Sequence, residues 1–235
     1  MNVVDWLLGR GRSLAPPQRA RLDAWRALPE PDLGSAHAGQ RFVVVDVEST
    51  GLDVFSDRLI AIGAVTVESS RIALDRSFYR VLRQQRASHH DNILVHGIGG
   101  TAQTGGDDPV AVLLDFLEHI GKSPLIGFHA RFDEIMIRNA VRKYLGGGFR
   151  RTWLDLADLA PAVPGAPGGK SRGLDEWLAT FNIVNYSRHD ALADALATAQ
   201  LFQVMARTAE GSGSKRTADL IEAARSQEWL SKQPR

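Results

Sequence analysis

Three apolar runs rich in β-branched residues follow one another early in the chain, with only short polar joints between them. They read RFVVVDVEST at 41–50, RLIAIGAVTVES at 58–69 and RIALDRSFYRVL at 71–82. Runs of this length and composition are typical of β-strands, and the short joints place consecutive strands side by side. We therefore predict an antiparallel meander as the first part of a sheet.

The rest of the central region alternates predicted helices with short strands. The stretch 86–109 contains five glycines and is predicted to be rich in loops. Three strands followed by alternating helices and strands predict an α/β fold, a mixed five-stranded sheet with helices on both faces. Helices are expected at 109–121, 131–145, 174–182 and 188–208, and short strands at 123–129 and at the start of 152–160.

The sequence divides into three parts. Residues 1–40 are predicted to be an N-terminal helical extension, 41–207 the main domain, and 208–235 a polar C-terminal tail that is helical in part. In the extension, an amphipathic helical pattern follows Pro17 and ends at Pro29. Its apolar positions are Ala20, Leu22, Trp25 and Leu28.

Composition excludes several classes of protein. The chain has no cysteine, so it can form neither a disulfide nor a thiolate metal site. Because the net charge is +1, contacts with nucleic acid must come from local patches. The first residues lack the features of a signal peptide, and no run reaches the roughly 18 apolar residues that span a membrane. We expect a soluble, cytoplasmic protein with no membrane partner.

Two acids, Asp46 and Glu48, end the first predicted strand. Residues i and i+2 of a strand point to the same side, so the two carboxylates are expected side by side. Like charges this close repel each other, which protonates one of them unless a cation neutralises the pair. Clusters of carboxylate oxygens suit Mg²⁺ or Mn²⁺. The alternative is a strand that simply reaches solvent at Asp46, with STG as its exit turn.

Three further residues lie on the later helices. Asp133 begins the helix at 131–145, where the helix dipole favours an acid whatever its role. Asp194 stands in the Ala-rich stretch ALADALATA, and a buried acid there needs a partner such as a metal ion. His189 lies at the start of the same helix and can reach a site that Asp194 faces. Taken singly, Asp133 is better explained as a helix-start acid, and Asp194 and His189 as surface residues.

Taken together, these residues resemble the DEDDh, or DnaQ-like, 3′→5′ exonucleases. The resemblance implies an RNase H-like fold over 41–205, with departures at Phe128 and His129, where the family more often has His and Asn, and at Gly99, where it has Thr or Ser. The matching segments are DVESTGLD at 46–53, VHGIGG at 95–100, FHARFD at 128–133, TWLDLADLA at 152–160 and HDALAD at 189–194.

The resemblance implies phosphodiester hydrolysis with two divalent metal ions, Mg²⁺ or Mn²⁺, roughly 3.5–4 Å apart. Asp46 would bridge both ions. Glu48 and Asp194 would complete the ion that presents the attacking water, and Asp133 would support the second ion. His189 would take the proton of that water, which suits a side chain with an ordinary pKa of about 6.5. The product would be a nucleoside 5′-monophosphate.

The resemblance also implies substrate contacts around the metal site. Leu52 would wedge against the last base, and Thr50 would hydrogen-bond the terminal 3′-hydroxyl. A glycine at 51 lets the backbone approach the terminal nucleotide closely. Without the other motifs, this segment would be a plain turn that leaves the strand. The predicted substrate-binding residues are Ser49, Thr50, Gly51, Leu52, His96 and Phe132.

Positive charges occur in two places where phosphates could bind. One group lies on the helix at 131–145 and the other in the Pro/Gly-rich loop that follows residue 160. Either group can instead be a solvated surface. The residues are Arg131, Arg138, Arg142 and Lys143 on the helix and Lys170 and Arg172 in the loop.

The leading hypothesis is a metal-dependent exonuclease that acts on single-stranded or frayed 3′ ends of DNA, in proofreading or repair. The alternatives are an exoribonuclease that trims RNA 3′ ends, a non-catalytic module that binds nucleic-acid ends or a polymerase, and an unrelated sugar-phosphate or nucleotide hydrolase. A DNA polymerase subunit is a candidate partner. The sequence leaves open whether the chain is a monomer or a homo-oligomer.

Overall fold

A computed structural model describes residues 14–166 and 172–233 of the chain. The strand order in its sheet is β3-β2-β1-β4-β5, with β1, β2 and β3 antiparallel and with β4 and β5 parallel to β1. The predicted meander and the mixed five-stranded sheet are thereby confirmed. The strands are β1 (Arg41–Ser49), β2 (Leu59–Glu68), β3 (Arg71–Val81), β4 (Leu125–Gly127) and β5 (Trp153–Asp155).

The helices occur where the sequence pattern predicts them, and two more lie in the stretch that is predicted to be loop-rich. Within the described ranges, none of the helices combines the length and apolar character needed to cross a bilayer. The helices are α1 (Pro16–Ala27), α2 (His90–His96), α3 (Gly100–Thr104), α4 (Pro109–Ile120), α5 (Arg131–Leu145), α6 (Leu156–Ala162), α7 (Leu174–Thr180), α8 (Ala191–Gly211) and α9 (Thr217–Ser231).

Alternate residues of β1 pack into two separate apolar clusters. Val43, Val45 and Val47 belong to a cluster with α1, α4 and α5 on one face of the sheet. Phe42 and Val44 belong to a cluster with α6–α9 on the opposite face. A strand covered on both faces has no polar side, which explains its unbroken apolar run. Helices on both faces are therefore confirmed.

The stretch 86–109 is more ordered than its glycines predict. Gly97 ends α2 in a left-handed conformation with φ of 69°. Gln103 of α3 is fully buried, and its side-chain amide accepts a hydrogen bond from Ser88 N and donates one to Ile98 O. A single buried amide thus organises this segment, and such a contact is invisible in local composition.

The segment before β1 meets the segment that leads into α9 on the α6–α9 face. Ala36 forms an isolated antiparallel bridge with Arg216, and Ala218 N donates to Leu33 O over 2.8 Å. In α9, Leu220 is fully buried in the cluster on that face. Residues before 41 and after 207 therefore contribute to the core of the described structure.

Helix α1 is fixed to the opposite face by polar and apolar contacts. Trp25 is 6% exposed, and its indole N–H donates to Gly121 O over 2.7 Å. Its ring stacks on Phe149 with centroids 6.4 Å apart. The guanidinium of Arg21 pairs with Asp115 and Glu118 of α4. The buried indole is the main apolar anchor of α1.

We expect Trp25→Ala to lower the free energy of unfolding by about 3–5 kcal/mol, because it leaves a large cavity and an unpaired carbonyl. Urea unfolding followed by circular dichroism measures this change. Arg19→Ala is the matched control, because Arg19 is an exposed residue of the same helix; its effect should stay within about 0.5 kcal/mol. Equal stability of the two variants would show that α1 is not anchored by Trp25.

Candidate active site

The central strand presents Asp46 and Glu48 at its carboxyl end. Alternation along β1 puts them on the same side as Phe42 and Val44, which is the side that α8 covers. A β-bulge between Glu48 and Ser49 then shifts the register with β2 and ends the regular pairing. The two carboxylates therefore lie where the sheet stops and the chain turns away.

Helix α8 reaches this point because β2 has a glycine opposite Asp46. Gly63 pairs with Asp46 in the sheet, and a Cβ atom on Gly63 would lie 2.2 Å from the backbone carbon of Ala191. Only a residue without a side chain permits such a close approach of helix to strand. The first turn of α8 thus lies directly on the sheet, and Asp194 is 4% exposed beside the β1 carboxylates.

The turn from β4 to α5 delivers Asp133, which is 5% exposed. Gly127 ends β4 so close to this turn that an added Cβ would lie 3.0 Å from the Cβ of Ala130. His129 takes a left-handed conformation with φ of 58°, and its N–H donates to Asp155 Oδ1 over 2.9 Å. The same oxygen accepts from Ala157 N over 2.9 Å.

Asp155 supports the site from outside the cavity, and the sequence analysis does not identify it. It ties β5 and the start of α6 to the turn that carries Asp133, so it positions the Asp133 carboxylate. The segment TWLDLADLA that resembles the family contains Asp155, but its spacing alone gives it no role. Its importance comes from a hydrogen bond between residues 26 positions apart, which local patterns do not reveal.

These elements enclose a cavity of about 860 Å³ at the carboxyl end of β1. A second cavity of about 710 Å³ on the flank of α8 contains none of the predicted site residues. Predicted residues that line the first cavity are Asp46, Glu48, Ser49, Gly51, Leu52, His96, Phe132, Asp133, His189 and Asp194. Two positive residues of the Pro/Gly-rich loop are predicted as possible phosphate contacts. Arg172 lies outside the first cavity, with its guanidinium 5.8 Å from the Trp177 ring, and Lys170 lies outside the described residues.

Thr50 is the one predicted substrate contact that does not line the cavity. Its hydroxyl donates to Asp57 Oδ1 over 2.7 Å and accepts from Arg58 N over 2.9 Å, so it stabilises the loop. His96 is 7% exposed, and burial lowers the pKa of its imidazole. Its Nδ1 accepts from Ile98 N over 3.0 Å, so the ring presents only its other edge.

Burial and mutual repulsion make the acidic groups hard to ionise. Burial raises the pKa of Asp46 well above its usual range, and the charges of Asp133, Asp194 and Glu48 raise it further. Burial and the charge of Asp194 raise the pKa of Glu48 to about 8. Burial also raises the pKa of Asp133 strongly. The cavity therefore favours either bound protons or bound cations.

The carboxylate of Asp194 already has a cationic partner. Arg188 donates to it and also pairs with Asp175 over 2.7 Å, while Asn185 and the His189 N–H donate as well. Within residues 14–166 and 172–233, no three acidic or histidine side chains are gathered closely enough to ligate one metal ion. The acidic side chains of the cavity still suit a hard cation, because their carboxylate oxygens are the ligands that such ions prefer. Repulsion among the carboxylates also favours a positive charge between them.

The sheet order, the helices on both faces and the acids that end β1 define an RNase H-like fold. The structure superposes on E. coli exonuclease I in complex with a dT13 oligonucleotide with a TM-score of 0.60, at 19% identity, over 74% of this chain and 42% of that one. It superposes on exonuclease X in complex with 5′ overhanging duplex DNA with a TM-score of 0.56, at 18% identity, over 78% and 99% of the two chains.

Residues 43–202 match the model of the RNase T family, whose description is exonuclease. DNA polymerase III subunit epsilon of Aquifex aeolicus is 31% identical over 161 residues, which are 68% of this chain and 78% of the relative. The PolC-type DNA polymerase III of Thermotoga petrophila is 28% identical over 72% of this chain, but the match spans only 12% of that relative. The chain belongs to the DnaQ-like 3′→5′ exonuclease family.

We expect Gly63→Ala to disturb the site, although Gly63 itself does not line the cavity. The new methyl group would overlap the backbone of Ala191 and displace the first turn of α8. Overpacking of this kind lowers the free energy of unfolding by about 1–3 kcal/mol. Displacement of the turn that carries Asp194 should also weaken the binding of added Mn²⁺ by about 10- to 100-fold, measured by titration calorimetry on the folded variant. Gly148→Ala is the control, because nothing lies within 4 Å of its added Cβ.

We expect the metal-free protein to lose stability as pH rises from about 4.5 to about 8. Glu48 has a folded-state pKa of about 8 against an ordinary value of 4.5, so the folded state holds the extra proton in this window. The free energy of unfolding then falls with increasing pH. Denaturant unfolding in EDTA across this range measures the slope.

Two comparisons test the cause of this pH dependence. Glu48→Gln should reduce the slope, whereas Asp75→Asn, at an exposed acid of β3, should leave it unchanged. Added Mn²⁺ should stabilise the protein more at the alkaline end, because carboxylate ligands must lose their protons. A stability that rises with pH in EDTA would contradict the raised pKa of Glu48.

Proposed function

We propose that this chain is a metal-dependent 3′→5′ exonuclease that releases nucleoside 5′-monophosphates from the 3′ ends of DNA. The observation that carries the proposal is a single cavity faced by carboxylates from β1, α5 and α8 together with His189. Membership of an exonuclease family supports the reaction class. The similarity to a DNA polymerase III epsilon subunit supports DNA as the substrate.

The four carboxylates are proposed to hold two divalent cations, Mg²⁺ or Mn²⁺. Asp46 would be shared by both ions, Glu48 and Asp194 would complete one site, and Asp133 would serve the other. When bound, the two cations supply positive charge to the attacking and leaving oxygens of the phosphodiester. Full occupancy requires Asp194 to give up its contact with Arg188, which can remain paired with Asp175.

His189 is proposed to accept the proton of the attacking water. Its backbone N–H is fixed to Asp194 Oδ2 over 3.1 Å, while its side chain is exposed at the rim of the cavity. This arrangement holds the residue in place and leaves the imidazole free to turn toward the water. An imidazole suits the task because its ordinary pKa of about 6.5 allows both uptake and release of the proton near neutral pH.

The terminal nucleotide is proposed to enter the cavity beside Leu52, Val95 and Phe132, which supply apolar surface for a base. Ser49 donates its hydroxyl to Gly51 O over 2.5 Å and so shapes the turn at the entrance. A cavity of about 860 Å³ is of the size that holds a small ligand. Single-stranded or frayed ends therefore suit it better than an intact duplex end.

A DNA polymerase subunit is the proposed partner, because the Aquifex aeolicus relative is an epsilon subunit of polymerase III. The competing function is trimming of RNA 3′ ends. RNA differs from DNA at the 2′-hydroxyl, so parallel digestion of both substrates distinguishes the two functions.

We expect the purified protein to degrade a 5′-labelled DNA single strand stepwise with Mg²⁺ or Mn²⁺ and to be inactive in EDTA. Asp46→Ala should abolish this activity, because it removes the ligand that both ions share. His189→Ala should reduce kcat by about 10²- to 10⁴-fold, the usual contribution of general base catalysis. Product lengths on gels and chromatography of the released nucleotides measure these effects.

Asp75→Asn serves as the control, because Asp75 is an exposed acid on β3 outside the cavity. It should retain wild-type rates. Faster digestion of RNA than of DNA with the same sequence would favour the competing function. Full activity of Asp46→Ala, or activity that persists in EDTA, would refute the assigned site.

A further inference from the structure

The loop between β1 and β2 exposes two large apolar side chains, only one of which the proposed site uses. Leu52 is 88% exposed and lines the cavity, whereas Phe55 is 96% exposed and lies outside it. An aromatic ring left in water in this way has no role in the fold. Exposed aromatic rings are the usual stacking surfaces for unpaired bases.

Internal hydrogen bonds hold this loop in one shape. The Asp57 carboxylate accepts from the Thr50 hydroxyl over 2.7 Å and from Asp53 N over 2.9 Å. The Asp53 carboxylate accepts from Phe55 N over 3.0 Å. Both acids of the loop are thus occupied by the loop itself. Phe55 is presented on a preorganised support, which reduces the entropy lost when a base stacks on it.

The loop is also attached to the side of α5. Val54 O accepts a hydrogen bond from Asn139 Nδ2 over 2.8 Å. Asn139 lies more than one helical turn beyond Asp133 in α5. Val54 packs against the apolar cluster that contains the buried face of α5. Phe55, the next residue, is therefore held close to α5 and does not line the cavity.

That outer face of α5 carries a row of arginines. Arg131, Arg138 and Arg142 have spacings of seven and four residues, which put them on one side of a helix over roughly 16 Å. Glu134 is the only acid within α5 on that side, and it pairs with both Arg131 and Arg138. The row thus keeps a net charge of +2, and Lys143 adds another positive charge next to it.

We propose that Phe55 and this arginine row bind the complementary strand of a duplex whose 3′ end is in the cavity. When the terminal pair opens, one nucleotide enters the cavity and its former partner is left unpaired. That base would stack on Phe55, and the phosphates of its strand would follow the arginines along α5. Roughly 16 Å corresponds to about five base steps at 3.4 Å each. The inference rests on the proposed exonuclease function and assigns a binding surface to the strand that is not cut.

The position of the surface favours the complementary strand over the strand that is cut. The end of the cut strand is already held by the cavity, which Leu52 lines and Phe55 does not. An exposed aromatic ring outside the cavity has a use only if another base is present there. The positive charge of the row complements a phosphate backbone and not an apolar protein partner.

The test compares Phe55→Ala and Arg138→Gln/Arg142→Gln with the wild-type protein on two probes. One probe is a DNA duplex with a recessed 3′ end, and the other is its labelled strand alone. Binding is measured by fluorescence anisotropy in EDTA over a range of salt concentrations, and degradation is measured separately with Mg²⁺. Arg207→Gln/Arg225→Gln is the charge-matched control, because both arginines are exposed on α8 and α9 across the sheet.

We expect Phe55→Ala to weaken duplex binding by about tenfold, with single-strand binding and degradation unchanged. The double arginine variant should make duplex binding less dependent on salt. The slope of log K against log salt should become less negative by about 1.8, because two phosphate contacts are lost. Equal losses on both probes would assign the surface to the cut strand and overturn the proposal. Unchanged duplex binding would overturn it too. A wild-type protein that binds the duplex in EDTA but degrades neither probe would refute the exonuclease function alone.

Discussion

The contact between α8 and β2 at Gly63 is the interaction on which the site depends. It allows the first turn of α8 to lie against the strand next to Asp46, and so brings Asp194 to the end of β1. The Asp190 side chain caps this turn through the N–H groups of Leu192 and Ala193. A single missing side chain on a neighbouring strand thus determines where a carboxylate from far along the chain is placed.

Bringing the four carboxylates together has an electrostatic cost. Four carboxylates share one partly buried space and repel one another, and burial favours the neutral forms of Asp46, Glu48 and Asp133, so the folded protein binds protons or cations there. Arg188 shows one way to offset this repulsion, because it bridges Asp194 to Asp175 of α7. The same repulsion that destabilises the metal-free site supports the proposed binding of two divalent ions. Stability and cation binding are therefore linked through the same groups.

Much of the fold could be predicted because its signals are local. Apolar runs rich in β-branched residues indicated β1, β2 and β3, and helical patterns indicated α4, α5 and α8, all of which the structure confirms. The order in the long segment between β3 and α4, which contains α2 and α3, could not be predicted, since it depends on the buried amide of Gln103. The packing of α9 was also hidden, because only Thr217, Leu220, Ile221 and Ala224 of its 15 residues are buried.

The sequence by itself determined the family, the acids and the order of the elements that carry them, because motifs and apolar periodicity are properties of short segments. The tertiary structure decided which of those residues face one cavity. It brought Asp46, Asp133, Asp194 and His189 together and turned the Thr50 hydroxyl into its own loop. It also gave Asp155 its positioning role and attached the loop that carries Phe55 to α5. These outcomes depend on contacts between distant segments, and such contacts exist only once the sheet and its helices have packed.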